Sequence, residues 1–185
     1  MVVMFFHRHK LLFIVVSILF VAFFAHQANA GPDITREDRE KLSAIASEEF
    51  LSVKDFLNSI DEDALPRGDY EFYDFWMKGL EKEKEGKSAD AIAFYEKALA
   101  ADVFEMSTYD ALFSLGRAYF LTGEKEKAVS ALQEFIKNAE EDLFAPGPWG
   151  FTPEGERILR KSIGHARWLI TLCNNKPFSG GLKLR

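Results

Sequence analysis

Apolar residues recur along most of this chain at helical spacing. Leu42, Ile45, Ala46, Phe50, Val53, Phe56, Leu57 and Ile60 follow one another at short helical intervals and form one stripe of an amphipathic helix. Thr35 and Asp38 sit just ahead of it as a capping box, a hydroxyl and a carboxylate placed to take free N–H groups at a helix start. Asp61 to Asp69 holds Pro66 and Gly68 and reads as a turn. Helical patterning then resumes from 70 to 142. The run APGPWGFT, within 143–152, is a loop of Pro, Gly and aromatics. Thr152-Pro153-Glu154 starts a last helix, with Pro in the first turn where no N–H is required. Ile158, Leu159, Ile163, Trp168, Leu169 and Leu172 give that helix an apolar side, it runs to about 176, and 177–185 reads as a loose tail. The pattern is that of an all-α chain.

The first thirty residues follow a different rule. Arg8 and Lys10 stand without any acid, Leu11 to Ala25 is apolar except for Ser17, and Ala28-Asn29-Ala30 supplies small residues. These are the three parts of a secretory signal peptide spanning 1–30, cleaved after Ala30. The expected location is therefore the periplasm or the outside. The apolar run of 15 residues falls short of the ~20 that a membrane-spanning helix needs. Val2, Val3, Met4, Phe5 and Phe6 lengthen it, which keeps open an uncleaved membrane anchor.

The segment from 70 to 142 repeats itself. Placing Gly79 on Gly116 brings Gly86 onto Gly123, Ala91 onto Ala128, Ile92 onto Val129, Tyr95 onto Leu132 and Leu99 onto Ile136. GLEKEKEGKSADAIAFYEKAL thus matches GRAYFLTGEKEKAVSALQEFI without a gap. Such self-similarity marks a helical array whose units cannot bury their apolar faces alone. Gly79 and Gly116 lie inside a first helix, where a missing side chain lets a second helix approach. Gly86 and Gly123 fall where the first helix must stop in a left-handed turn. The flanking helices in 31–69 and 153–176 complete the unit count that such an array needs and cover its ends.

These residues resemble the tetratricopeptide repeat family. The first copy, about Phe72–Glu105, matches its pattern at Gly79, Gly86, Ala91, Tyr95 and Ala98. The second, about Tyr109–Asp142, matches at Leu112, Leu115, Gly116, Tyr119, Gly123 and Ala128. Lys78, Lys82 and Phe135 depart from it. The resemblance implies a solenoid of helical hairpins whose concave groove, lined by the first helix of each pair, binds a protein or peptide segment. Carried over position by position, the groove would be lined by Tyr73, Trp76, Met77 and Leu80, then by Asp110, Phe113, Ser114, Arg117 and Phe120. Aromatics with one Arg are the mix enriched at binding hot spots. The same side chains would serve equally well to pack beneath a terminal helix. Trp149 in the loop is a further candidate for partner contact, or for folding back onto the repeats.

Composition narrows the chemistry. Without Arg8 and Lys10 the chain carries 21 basic against 29 acidic residues, a poor match to nucleic acid. From Arg157 onward there are seven bases and no acid, so the last helix either rests on an acidic body or contacts anionic lipid or an acidic partner. His165 and Cys173 are the only His and Cys after residue 30, too few for the usual zinc sites, and neither a metal nor a cofactor is expected. Eight residues of one helix separate them by about 12 Å, beyond the reach of a nucleophile–base pair. Lone Cys173 reads as a small buried apolar residue. Glu81, Glu83 and Glu85, alternating with Lys82 and Lys84, read as a solvated helix face. The expectation is an exported bacterial interaction module, an adaptor or assembly subunit without catalytic residues. The alternatives are a hydrolase of envelope polymers using a carboxylate pair, or a membrane-tethered accessory subunit.

Overall fold

Six helices account for nearly all of the computed structural model, which describes residues 34–59, 66–101, 103, 109–144 and 152–175. They are α1 (Arg36–Ser59), α2 (Arg67–Lys84), α3 (Ser88–Leu99), α4 (Tyr109–Thr122), α5 (Lys125–Phe144) and α6 (Pro153–Asn175). Residues 1–30, read above as a signal peptide, residues 145–151 with Trp149, and residues 177–185 lie outside the described residues. The capping box forms as expected: the Thr35 N–H donates to Asp38 Oδ2 at 3.2 Å, and the Asp38 N–H donates to Thr35 Oγ1 at 3.1 Å. At α6 the Gly155 N–H donates to Thr152 Oγ1 at 3.1 Å, so that start also holds. α2 begins at Arg67, inside the stretch read as a turn, because Pro66 fixes the backbone just before the helix and its carbonyl accepts the Tyr70 N–H.

α2 with α3, and α4 with α5, form two helical hairpins stacked through α3 and α4. Both hairpins turn on the same device. Gly86 (φ +75°) and Gly123 (φ +85°) take the left-handed conformation. Past them, the Lys87 N–H reaches the Lys82 carbonyl at 2.9 Å and the Glu124 N–H reaches the Tyr119 carbonyl at 2.8 Å. These are the closing bonds of a Schellman motif. The crossing points are equally tight. A Cβ on Gly79 would stand 2.3 Å from the Tyr95 ring, and one on Gly116 would stand 2.6 Å from Leu132 Cγ. Ala91 and Ala128 are fully buried opposite them. α4 is the centre of the molecule, with every residue from Phe113 to Phe120 buried.

α6 packs on α5 and reaches α4. It buries Leu159, Ile163, Leu169, Leu172 and the free thiol of Cys173, whose pKa burial pushes up to about 11. α1 differs from the expected end cap. An end unit of a solenoid touches only its neighbour, whereas α1 packs on α2 and also reaches α4 and α6. It lies across the face that the first helices of the hairpins would otherwise leave open.

Candidate functional site

The face beneath α1 is built around a buried cation. Arg117, fully enclosed in α4, donates from Nε to Glu83 Oε1 at 2.7 Å and from Nη2 to Glu83 Oε2 at 2.9 Å. The same Nη2 lies 2.8 Å from Glu49 Oε2 of α1. Glu83 also accepts the Tyr95 hydroxyl at 2.7 Å, and Glu49 accepts Ser114 Oγ at 3.1 Å. Trp76 Nε1 in turn donates to Ser114 Oγ at 3.0 Å. One guanidinium therefore serves two carboxylates, one from the first repeat and one from α1. Burial works against the charge on Arg117, but Glu49 and Glu83 outweigh it and hold its pKa above the ordinary range. For Glu49 burial wins over the pull of Arg117, and its pKa is raised. Arg117 Nη1 finds no hydrogen-bond partner among the described residues.

Several groove positions are thereby corrected. Leu80, Arg117 and Phe120 are closed to any partner, at 1%, 0% and 0% exposure. Tyr73 is half-buried, its ring 4.5 Å from Phe56 of α1 and stacked with Trp76 at 6.1 Å. Met77 is half-buried against the same core. Glu83 is no solvated residue, since its side chain is 3% exposed between Arg117 and Tyr95. Its neighbours Glu81 and Glu85 do face solvent. The difference comes from α4, which lies over the last turns of α2 and covers only one of the three acids.

Trp76, Asp110 and Phe113 end up together beside a cavity of about 260 Å³ between α1 and α6. α1 contributes Ile45, Glu48, Glu49, Ser52 and Val53 to it, and α6 contributes Arg157, Ile158, Lys161, Ser162 and His165. The rim charges are matched: Lys161 Nζ binds both oxygens of Glu48 at 2.7 Å, and Arg157 is paired with Glu154. Burial, with Lys41 and Lys161 nearby, lowers the pKa of His165 and leaves it neutral at pH 7. Asp110 takes no hydrogen bond from any described residue. Burial, reinforced by Glu49 and Asp142, raises its pKa to about 7. The basic last helix is paired against the body, through Lys161 to Glu48 and Arg167 to Glu140.

The α1 and α6 members of this site carried a signal of their own. Glu49 interrupts the apolar stripe midway between Ile45 and Val53, and a polar residue on a buried face is the informative exception. Ile158, Lys161, Ser162 and His165 share one face of α6 at helical spacing. Among the described residues no group of His, Cys, Asp and Glu could hold a metal ion, and no helix is long and apolar enough to cross a membrane.

Comparison with protein families agrees with this architecture. Residues 75–102 and 110–141 each match a family model described as tetratricopeptide repeat, one on each hairpin. No curated protein and no solved structure matches the chain.

Proposed function

We infer that this all-α helical-repeat chain serves protein–protein interaction, as the match of its two hairpins to tetratricopeptide-repeat models suggests. We propose that it is an exported adaptor or assembly subunit, which holds a segment of an envelope partner in the cleft between α1 and α6. The observation that carries this reading is the cavity between α1 and α6, at whose base lie Trp76 and Phe113, 7% and 2% exposed. Ile158 stands at its edge, 52% exposed, an apolar side chain offered to solvent beside an aromatic floor. Export rests on the sequence of residues 1–30.

A photo-crosslinker at Ile158, with a matched probe at exposed Glu126 on α5, tests the cleft in cells. One dominant adduct at Ile158, absent at Glu126, is the expected result; equal labelling at both sites counts against the cleft. The N-terminal sequence of the protein recovered from the same cells tests export, with a start at Gly31 expected. A retained leader would instead make it a tethered subunit.

One observation favours a hydrolytic reading: Glu49 and Asp110, both with raised pKa, line one cavity. Glu49 is nevertheless occupied by Arg117 and Ser114, and the space is below the ~300 Å³ usual for small-molecule sites. Cleavage of cell-wall polymer that disappears in Asp110→Asn would establish that reading in place of the adaptor.

A further inference from the structure

The charges around the cavity do not balance. Lys161 with Glu48, and Arg157 with Glu154, cancel at the rim. Deeper in, Arg117 answers one of its two carboxylates and leaves one negative charge over, on the side where Glu49 faces the cavity. Asp110 adds a second once it ionises, with no donor to it among the described residues. Asp110 lies in the first turn of α4, where the helix end favours an ionised acid, yet burial and Glu49 work against that charge. A carboxylate that weakens its own fold is the kind of local conflict that marks a functional position. The wall beside it includes Trp76, whose indole ring attracts cations, while the Phe113 ring already meets the Arg117 guanidinium at 5.4 Å. The volume suits one long side chain better than a free metabolite.

We propose that the cavity is a subsite for a single cationic side chain, the ammonium or guanidinium of a Lys or Arg on the partner segment, held by the carboxylates of Asp110 and Glu49 beside Trp76 and Phe113. The inference rests on the cleft reading and adds the chemistry of its ligand. A basic residue is what this acidic body lacks at that point: Arg117 is already shared between Glu49 and Glu83, and Asp110 has no cation against it among the described residues.

The test uses the full chain and four small probes: the Nα-acetyl methylamides of lysine, arginine, norleucine and glutamate, with 1,5-diaminopentane as a free amine. Carboxyl and indole NMR signals of Glu49, Asp110 and Trp76 are followed at pH 8, where Asp110 is ionised. The lysine and arginine probes are expected to shift all three signals, to bind at least tenfold more tightly than norleucine, and to lower the Asp110 midpoint by about one pH unit. The glutamate probe leaves the signals in place. Between pH 6 and 8 affinity rises as Asp110 ionises; facing it are Glu49, whose pKa burial raises, the paired rim charges Glu48 with Lys161 and Arg157 with Glu154, and His165, whose pKa burial lowers. Asp110→Asn, checked by its melting curve, weakens the lysine probe at least tenfold, and Glu126→Gln does not. Norleucine binding as well as lysine, or an Asp110→Asn variant binding lysine undiminished, overturns the proposal. Diaminopentane binding tighter than the lysine probe overturns the side-chain assignment and makes the ligand a free amine. The Ile158 crosslink stands apart from all of these: a partner captured there while the cationic probes fail leaves the cleft in place and removes only the subsite.

Discussion

The two repeats meet each other and meet α1 by different physics. Between helices of the repeats the contact is steric, with Gly79 against Tyr95 and Gly116 against Leu132, closer than a side chain would permit. Against α1 the contact combines a few apolar side chains with a buried ion pair. Only Leu42, Ile45 and Val53 of its 24 residues are buried, and its deepest link is Glu49 to Arg117. The repeat stack is thus fixed by shape, while α1 is fixed by a shared cation and a few apolar side chains. Stacks fixed by shape tolerate little change. A cover fixed by charge can be made to move by altering one charge.

Breaking the cation has the largest expected effect. Arg117→Met leaves Glu49 and Glu83 buried without a counter-charge, with only the Ser114 and Tyr95 hydroxyls against them, which costs about 3–5 kcal/mol. Chemical denaturation measures that loss. Replacing all three charges together, with Glu49→Gln and Glu83→Gln added, is expected to recover most of it, because the penalty lies in the stranded carboxylates. Next comes the steric contact. Gly79→Ala pushes on a Tyr95 ring pinned by its bond to Glu83, and overpacking of this kind costs about 1–3 kcal/mol. The melting temperature of a domain this size should fall by several degrees, roughly 2–4 °C for each kcal/mol. An unchanged melt in Gly79→Ala would remove the steric half of the comparison.

The steric half was the legible one. Gly79, Gly86, Gly116, Gly123, Ala91 and Ala128 announce their roles by recurring at one spacing, and each does in the fold what its missing or small side chain suggests. The electrostatic half was hidden, because a carboxylate in a row of Glu and Lys looks like solvated surface wherever it lies. Glu83 differs from Glu81 and Glu85 only through α4 above it, a contact that joins residues 34 positions apart. The place of α1 was hidden for the same reason: an apolar stripe says that a helix is covered on one side, never by what. Trp76 and Phe113 read as facing one groove, but the cavity beside them takes most of its wall from α1 and α6, which the repeat pattern does not describe.

Asp110 sharpens the comparison with an opposite sign. Its folded pKa of about 7 lies above the ordinary ~3.9 of an unfolded aspartate, so the folded state resists its ionisation. Below pH 4 both states are protonated and nothing is lost. As pH climbs toward 7 the unfolded chain ionises first, and stability declines until the folded carboxyl also titrates. Asp110→Asn should therefore stabilise the protein at pH 8, by on the order of 2 kcal/mol, with the gain vanishing near pH 4. Urea melts of both forms at pH 4, 6 and 8 measure it. A gain that stays constant across that range would mean that packing, and not charge, sets the difference.

The smallest effect tests whether α1 moves as a cover. Lys161 and Glu48 tie α1 to α6 at the surface, both side chains more than 40% exposed, and such pairs contribute about 0.2–1 kcal/mol. Lys161→Met should leave the global melt nearly unchanged, since the repeat stack does not depend on that pair. Its effect should fall on α1 alone. A helix with three buried residues opens locally well below the energy of global unfolding. Removing a tie worth a few tenths of a kcal/mol then speeds exchange of its amides about twofold. Amides of α4, where eight successive residues are buried, exchange only with the whole fold and should not change. If Lys161→Met accelerates α4 as much as α1, the two regions open together, and the distinction between a stack fixed by shape and a cover fixed by charge does not hold.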